Sequence, residues 1–376
     1  MRLLFFGTYD AGAHPRVAVL RDGLQARGAT VRECNAPLGL STAARVSMLR
    51  RPWTLPLLAW RLLACWSALT VRSRRWRRDG SWPDAVVVCY LGHFDVLLAR
   101  RLFPHVPIVL DHLVGASDTA TDRGVSGGLR QRLLRRLDAA ALGSADVVVV
   151  DTDEHRDALP AAHRGRALVV PVGAPGSWYA DRGGPSATAD ADRPMRAVFF
   201  GLFTPLQGAP VIGAALAALA GDEHPIDVTM IGAGQDLDET RSLAAGNHRV
   251  HWLDWVDAAD LPRMVAAHDV CLGIFGTGPK ALRVVPNKVF QGAAAGCAVV
   301  TSDTPPQRRV LGDAALLVPA GDPAALAEAL RSLAAERSRL AAATSAAAAL
   351  ADSSFTPAAV TAPLHERLLA VVPRRT

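Results

Sequence analysis

The chain has 376 residues, 50% of them hydrophobic, and a formal net charge of +6. At roughly 150 residues per domain, this length predicts two or three domains with full cores. The modest basic excess suits an anionic ligand or surface and does not indicate a nucleic-acid partner.

The first half alternates short apolar strands with helical stretches. Residues 3–6 are predicted as a buried strand, followed by a glycine-bearing loop and an amphipathic helix over 17–27. Further strands are predicted at 30–33, 85–89, 108–110, 146–150 and 168–170. Uninterrupted apolar runs of this kind are typical of parallel sheets covered on both faces. Residues 171–194, rich in Gly, Pro, Ala and Asp, predict a linker.

Residues 49–78 form an unusual segment in which tryptophans lie among leucines, bracketed by arginines. The tryptophans are Trp53, Trp60, Trp66 and Trp76. A spanning helix is not expected, because Pro56 and Arg61 interrupt the apolar run. Two alternatives stand: an amphipathic helix lying on an anionic membrane, or a helix packed on the first domain with its arginines solvated. The packed helix is favoured.

The second half repeats the alternation. Strands are predicted at 197–200, 227–231, 250–253, 270–273, 299–301 and 316–318, with a helix over 209–220 and an Ala-rich helical region over 322–350. The pattern favours an α/β chain of two Rossmann-like, doubly wound domains with a cleft between them. In such folds ligands bind beyond the carboxyl ends of the strands.

The stretch from residue 272 to residue 303 is the most informative. It predicts a strand, a glycine-bearing loop, a helix that has Pro286 in its first turn and continues over 288–295, and a second strand. The loop and helix carry Lys280, Arg283 and Lys288. A helix N-terminus with cations nearby suits a phosphate group. The stretch therefore points to a sugar nucleotide.

Several signatures occur together in a fixed order. They are GAHPRV, CYLGHFDV and LDHLVGASDTATDR in the first half, and FFGLFTPLQG, IGAGQ, HWLDWVDAADLPRMVAAHDVCLGIF and VPNKVFQGAAAGCAVVTSD in the second. This set resembles the family-four (group 1) glycosyltransferases of the GT-B fold over nearly the whole chain. The resemblance implies retaining transfer of a sugar from a nucleoside-diphosphate donor to a hydroxyl acceptor, a small metabolite, a natural product or a glycan, with no cofactor and no essential metal.

The resemblance also divides the chain. It implies an acceptor-side domain over 1–175, a linker over 176–194, a donor domain over 195–350, and a C-terminal helix over 351–376 that returns to the first domain.

Two pairs of positions depart from the family pattern. Leu202 and Gln207 stand where the family has an arginine and a lysine that hold the donor diphosphate, and Arg283 and Gln291 stand where it has glutamates. We infer that the positive charge that neutralises the phosphates comes instead from the loop and helix with Lys280, Arg283 and Lys288, since guanidinium and ammonium groups both bind phosphate. A catalytically dead relative is the alternative.

The resemblance, together with the cations of residues 280–288, predicts roles for particular positions. The predicted catalytic residues are His112, Asp111, Arg283 and Lys288. The predicted donor-binding residues are Gly12, Gly201, Thr204, Gln207, Gly208, Gly232, Trp255, Val256, Lys280, Pro286, Asn287 and Gln291. The predicted acceptor-binding residues are His14, Arg16, His93, Asp95, Asp118 and Asp122. His93 competes with His112 for the histidine that approaches the transferred sugar.

Two other functions remain open. A nucleotide-sugar epimerase needs acid/base carboxylates that face the donor ring, and the second-half loops show none in that place. A non-catalytic GT-B protein would bind the sugar nucleotide without turnover. The five cysteines lie without metal-ligand spacing and no signal peptide is recognised. We therefore expect a cytoplasmic protein, peripheral at the inner face of the membrane if residues 49–78 meet lipid.

Overall fold

The computed structural model describes residues 1–10, 14–40, 52–78, 82–89, 92–113, 128–182 and 193–373. The chain divides into two compact units. The first comprises Met1–Val170 and Thr361–Thr376, and the second comprises Pro171–Val360.

The described part of the first unit is built on a parallel six-stranded sheet of order β2-β1-β3-β4-β5-β6. The strands are β1 (Arg2–Gly7), β2 (Thr30–Asn35), β3 (Ala85–Val88), β4 (Ile108–Asp111), β5 (Val147–Val150) and β6 (Ala167–Val169). The helices are α1 (Pro15–Ala26), α2 (Leu55–Arg78), α3 (Asp95–Leu102), α4 (Gly128–Ser144), α5 (Asp153–Ala158) and α6 (Ala161–Arg164).

Both faces of this sheet are covered, which explains the uninterrupted apolar runs. Leu4 and Phe6 of β1 lie in one core cluster, while Leu3 and Phe5 lie in the other. Successive side chains of a strand point to opposite faces, so a strand buried on both faces has no polar position. The inner strands β3 and β5 are therefore visible in the sequence as continuous apolar stretches, whereas β2 at the sheet edge is not.

The described part of the second unit contains another parallel six-stranded sheet, of order β12-β11-β10-β7-β8-β9. The strands are β7 (Met195–Phe200), β8 (Ile226–Ile231), β9 (Val250–Leu253), β10 (Val270–Leu272), β11 (Ala298–Ser302) and β12 (Leu316–Val318). The helices are α7 (Ala209–Ala218), α8 (Leu237–Leu243), α9 (Leu261–Ala266), α10 (Asn287–Ala294), α11 (Pro305–Leu311), α12 (Pro323–Ala335), α13 (Arg337–Leu350) and α14 (Pro357–Val360).

The segment predicted as a linker begins with ordered structure. A 3-10 turn spans Gly176–Tyr179, and Trp178 is buried with its ring stacked on Phe200 at a centroid distance of 5.4 Å. This tryptophan joins the core of the second unit. The beginning of the predicted linker is therefore part of that unit in the structure.

The C-terminal region differs in detail from the prediction. The Ala-rich stretch forms two helices, because the chain leaves helical geometry at Glu336. A π-helical turn at Ala351–Phe355 follows and packs Phe355 on Phe290 in the second unit. The last helix, α15 (Ala362–Val371), belongs to the first unit, where Leu364 and Leu368 are buried.

Candidate functional site

The strand order of the second unit identifies one place where a ligand is expected. The chain runs outward from β7 in both directions, first through β8 and β9 and then through β10 to β12, so the order reverses between β7 and β10. Ligands of open parallel sheets bind at such a switch point, beyond the carboxyl ends of the strands. The two loops that leave this point are residues 201–208, after β7, and residues 273–286, after β10.

The two loops touch through their backbones. The Phe275 amide donates to the Gln207 carbonyl at 2.9 Å. Gly208 has φ +64°, and a Cβ there would lie 2.4 Å from the amide nitrogen of Gly276. A side chain at Gly208 is therefore excluded both by the left-handed backbone and by the neighbouring loop. This close contact fixes the position of one loop relative to the other.

Lys288, the second residue of α10, is the buried cation of this switch point. Its Nζ donates to Gln207 Oε1 at 2.6 Å and lies 3.6 Å from the centroid of the Phe199 ring. A Cβ on Gly201 would lie 3.5 Å from the same Nζ. The Lys288 amine thus lies close to Gly201, which belongs to the loop after β7.

Burial determines the charge state of this amine. Lys288 is 4% exposed, and burial lowers its pKa from 10.5 to about 7. In the described part of the chain no carboxylate pairs with it, and Gln207 supplies only a neutral acceptor. A buried ammonium without a counter-ion is costly, because desolvation is not offset by an ion pair. An anion bound at this point would provide that offset.

The other two predicted cations lie in a different setting. Arg283 ends a 3-10 turn, Ala281–Arg283, and its Nε donates to the Pro279 carbonyl at 2.9 Å. Arg283 and Lys280 are half-buried. Lys288 therefore differs from them, since it alone of the three is buried at the switch point.

The helix that carries Lys288 begins one residue later than Pro286. Asn287 is the first residue of α10, and Pro286 precedes it in extended conformation as the N-cap. The expectation of Pro286 in the first turn is therefore wrong. Asn287 is exposed, whereas Gln291 is buried.

The remaining predicted donor residues surround the carboxyl ends of β7 to β9. Gly232 has φ +129°, and a Cβ there would lie 1.9 Å from the Gly201 carbonyl oxygen. Thr204 is half-buried in the loop after β7. Trp255 is 78% exposed, whereas Val256 packs against the core. Gly12 lies outside the described residues, as do the predicted acceptor residues Asp118 and Asp122.

The first unit has its own switch point, between β1 and β3, and a carboxylate lies there. Asp95 Oδ2 accepts hydrogen bonds from the Thr8 amide at 2.7 Å and the Thr8 hydroxyl at 2.8 Å. Its Oδ1 accepts from Trp66 Nε1 at 3.1 Å. The buried Asp95 thus ties the loop after β1 to helix α2. Its contact with the acceptor stays a prediction.

Two other predicted residues of this unit bind each other. Arg16 is 2% exposed, and its Nε lies 2.9 and 3.1 Å from the carboxylate oxygens of Asp111. Its Nη2 donates to the Val170 carbonyl at 3.0 Å. Burial raises the pKa of Asp111, and the Arg16 charge opposes that shift. The pair joins α1 to β4, while the catalytic role of Asp111 and the acceptor contact of Arg16 stay predictions.

The predicted histidines lie close together. The His93 and His112 rings meet edge to face with centroids 5.2 Å apart, and His93 Nε2 lies 3.4 Å from Asp138 Oδ1. Burial, followed by the neighbouring His93, lowers the pKa of His112 to about 4. Among described residues, the buried Nδ1 of His112 finds no hydrogen-bond partner. His14 precedes α1 as its N-cap residue.

Some of these contacts had no sequence signal, because they join distant segments. Thr8, Trp66, Asp138 and Phe199 were not among the predicted site residues. Position alone offered a hint, since Thr8 directly follows β1 and Phe199 lies two residues before Gly201.

Residues 194–336 match a family model described as "Glycosyl transferases group 1". Over these residues the chain is similar to the group 1 glycosyltransferases. The matched region includes β7 to β12, both loops of the switch point, and Lys288. No curated protein sequence matches the chain.

Solved structures resemble the whole chain. HepE from Anabaena, solved with UDP-glucose, has a TM-score of 0.67 at 16% identity over 99% of this chain and 100% of HepE. Sucrose-phosphate synthase from Thermosynechococcus elongatus has a TM-score of 0.70 at 14% identity over 98% and 99%. The UDP-GlcNAc 2-epimerase from Neisseria meningitidis, bound to UDP-GlcNAc, has a TM-score of 0.55 at 12% identity over 98% and 100%.

These likenesses establish the predicted GT-B fold. They do not decide the reaction, because an epimerase is among the neighbours. The function of the matched region must therefore be interpreted from its own side chains. Where the family pattern has an arginine and a lysine in the loop after β7, this region has an exposed Leu202 and a Gln207 that binds Lys288.

Proposed function

We propose that this chain is a retaining glycosyltransferase that moves a sugar from a nucleoside-diphosphate sugar to a hydroxyl acceptor, a small metabolite, a natural product or a glycan. The observation that carries the proposal is the buried amine of Lys288, placed at the switch point of the region similar to group 1 glycosyltransferases with no carboxylate partner among the described residues. HepE and the Neisseria epimerase were solved with UDP-sugars, so UDP-sugars are the first donors to test.

A diphosphate is the anion that best suits this amine. Its negative charge favours the ammonium form, which raises the pKa of Lys288 back above 7 on binding. Gln207 holds the amine in place through its Oε1. Because the amine is already desolvated, its attraction to a bound anion is little screened by water.

Charge on the leaving group links this site to catalysis. As the bond between the sugar and the diphosphate breaks, negative charge develops on the departing phosphate oxygen. A preorganised cation stabilises that charge more than it stabilises the bound donor, and this lowers the barrier. The departing phosphate takes the proton of the acceptor hydroxyl, on the same face of the sugar, so configuration is retained. Lys280 and Arg283 supply further positive charge from the loop after β10.

The first unit supplies the acceptor side in this proposal. His112 is the residue that approaches the transferred sugar, since its Nδ1 has no described partner and its low pKa keeps the ring neutral. A neutral imidazole nitrogen can accept or donate a hydrogen bond to a sugar hydroxyl. Asp111 keeps a supporting role, because its carboxylate is bound to Arg16.

We propose no essential metal for the reaction and a cytoplasmic location. In the described residues no group of three His, Cys, Asp or Glu side chains is placed to hold a metal ion. The positive charge that a metal would bring to the diphosphate comes from Lys288 instead.

An epimerase is the second candidate, because a solved epimerase shares the fold. Epimerisation at a sugar carbon needs acid and base groups beside the ring. The loops over 201–208 and 273–286 contain no Asp or Glu. This composition favours transfer over epimerisation.

The test is a panel of nucleotide sugars with candidate acceptors, followed by measurement of nucleoside diphosphate release and of the anomeric configuration of the product by NMR. We expect release with at least one donor and a product that keeps the donor's configuration. An inverted product would overturn retention. An epimerised donor without release identifies an epimerase, and a thermal shift without release from any donor identifies a binder.

Lys288→Met tests the role of the amine in the same assay. We expect turnover to fall about 10²- to 10³-fold, as for loss of one charge-stabilising group. Arg263→Met is the matched control, because it removes an exposed cation of α9 in the same unit. Near-normal turnover of Lys288→Met would remove this amine from the mechanism.

A further inference from the structure

Helix α2 has an outer face that no described residue covers. Its large exposed side chains, with the one just before it, are Trp53, Leu57, Trp60, Leu63 and Val71. Trp53 is 75% exposed and Trp60 is 66% exposed. The first four follow one another at intervals of three or four residues, which places them on one side of a helix. We call these four residues the apolar stripe.

The opposite face of α2 already serves the fold. Leu69 is fully buried in the core of the first unit. Trp66 donates to Asp95, and the Trp76 ring lies under the guanidinium of Arg32 at 5.1 Å. The helix is therefore fixed on the unit by one face. The apolar stripe is therefore not the face by which the helix packs on the core of the unit.

Apart from the apolar stripe, the segment that carries it is rich in positively charged side chains. Residues 49–78 contain eight arginines and no Asp or Glu, so this segment carries more positive charge than the whole chain has in net terms, +6. Arg72 and Arg74 are exposed on the described helix. Tryptophans and leucines beside arginines combine an apolar body with positive charge. That combination is typical of helices that lie in the interface of an anionic bilayer.

Other uses of the stripe fit these observations less well. No described helix is long and apolar enough to cross a bilayer. A second copy of the chain would bring its own exposed Arg72 and Arg74 against these, and like charges oppose each other. A nucleic acid would match the arginines but not the leucines, because phosphate contacts come from charged and polar groups.

We propose that α2 docks this protein on anionic lipid membranes, with the apolar stripe buried among the acyl chains and the arginines at the headgroups. The helix thus has two roles: one face packs on the first unit, as expected from the sequence, and the other face binds lipid. The proposal does not depend on any donor or reaction.

The test is flotation of the full-length protein with vesicles of phosphatidylcholine alone and with phosphatidylglycerol added, in the absence of any nucleotide. We expect binding to the anionic vesicles only, weakening as salt rises because exposed charges are screened. The double variant Trp53→Ala/Trp60→Ala should lose at least tenfold in vesicle affinity, and Arg72→Gln/Arg74→Gln should lose most of the salt-sensitive part. Leu369→Ala is the matched control, since it removes another exposed apolar side chain of the first unit.

Three results would overturn the proposal. They are no binding to anionic vesicles, binding that the double tryptophan variant leaves unchanged, or a dimer in solution that the same variant dissociates. Circular dichroism of each variant shows whether the fold is intact. Since Trp53 and Trp60 are exposed, we expect no loss of folded structure.

Discussion

The two units place opposite charges at equivalent points of similar sheets, and they treat those charges differently. At the switch point of the first unit, the Asp95 carboxylate accepts three hydrogen bonds from Thr8 and Trp66. At the switch point of the second, the Lys288 amine has one neutral oxygen and an aromatic ring. A buried charge that is fully bonded stabilises a fold, whereas one that is partly bonded is available to a ligand.

The Arg16–Asp111 pair gives the strongest test of the first part of this comparison, that a fully bonded buried charge stabilises the fold. Arg16→Met should lower the free energy of unfolding by about 3–5 kcal/mol, because it leaves Asp111 buried without its counter-ion. Urea denaturation measures the change. The double variant Arg16→Met/Asp111→Leu should recover most of the loss. A loss under about 1 kcal/mol in the single variant would show that the pair is not a fixed part of the fold.

Asp95→Ala should come next in size. It leaves the Thr8 amide and the Trp66 indole without their acceptor, and unpaired buried donors cost about 2–4 kcal/mol together. Thermal and urea unfolding measure the loss. Trp66→Phe should cost less, since it removes only one of the three donors. If both variants unfold like the wild type, Asp95 is not bonded as described.

The partial bonding of the Lys288 amine should be visible in its measured pKa. Lys280 and Lys288 are the two lysines of the chain, so protein labelled with 13C and 15N in lysine gives two side-chain signals. We expect one pKa to be about 7, as burial dictates, and UDP to raise it. Lys288→Met should remove that signal. The absence of any lysine signal that titrates near pH 7 would contradict the burial of Lys288.

The same pKa predicts how stability changes with pH. Above pH 7 the folded amine is neutral while the unfolded one stays protonated up to its ordinary pKa of 10.5, so the unfolded state binds more protons. Stability should therefore rise with pH in this window, by about 1 kcal/mol between pH 7 and pH 8. Lys288→Met should flatten the rise. UDP should bind more weakly over the same range, because less of the amine is charged.

The smallest effect is expected at Trp255, which is exposed on the loop after β9. Trp255→Ala should weaken nucleotide binding by about 1 kcal/mol if the indole stacks on the base. The free energy of unfolding should change by less than about 0.5 kcal/mol, because the side chain is on the surface. Titration of UDP against tryptophan fluorescence checks the first point. An unchanged affinity would remove Trp255 from the base site.

Much of the fold was readable from the sequence, because strands buried on both faces appear as unbroken apolar runs. The strands at 250–253 and 316–318 match the structure, and the others differ at their ends by one or two residues. The break between α12 and α13 was missed, because Glu336 is neither glycine nor proline and gives no local signal. Helix ends of this kind depend on tertiary packing.

The site was only partly readable, for a different reason. The glycines and cations of the second unit mark a phosphate loop by type and order, and Lys288 was among the predicted residues. Which cation would be buried depends on the loop after β7, far away in sequence. In the first unit, Arg16 and Asp111 looked like two functional groups, yet they lie 95 positions apart and neutralise each other. Contacts over such distances leave no pattern in a single sequence.

The hydrogen bonds of Asp95 have a mechanical consequence. One carboxylate fastens both the indole of Trp66, on helix α2, and the backbone of Thr8, at the exit of β1. Asp95 itself lies on α3, so α2, α3 and the exit of β1 meet at a single carboxylate. A shift of α2 along its axis has to break the Trp66 bond, and a shift of the loop after β1 has to break both Thr8 bonds.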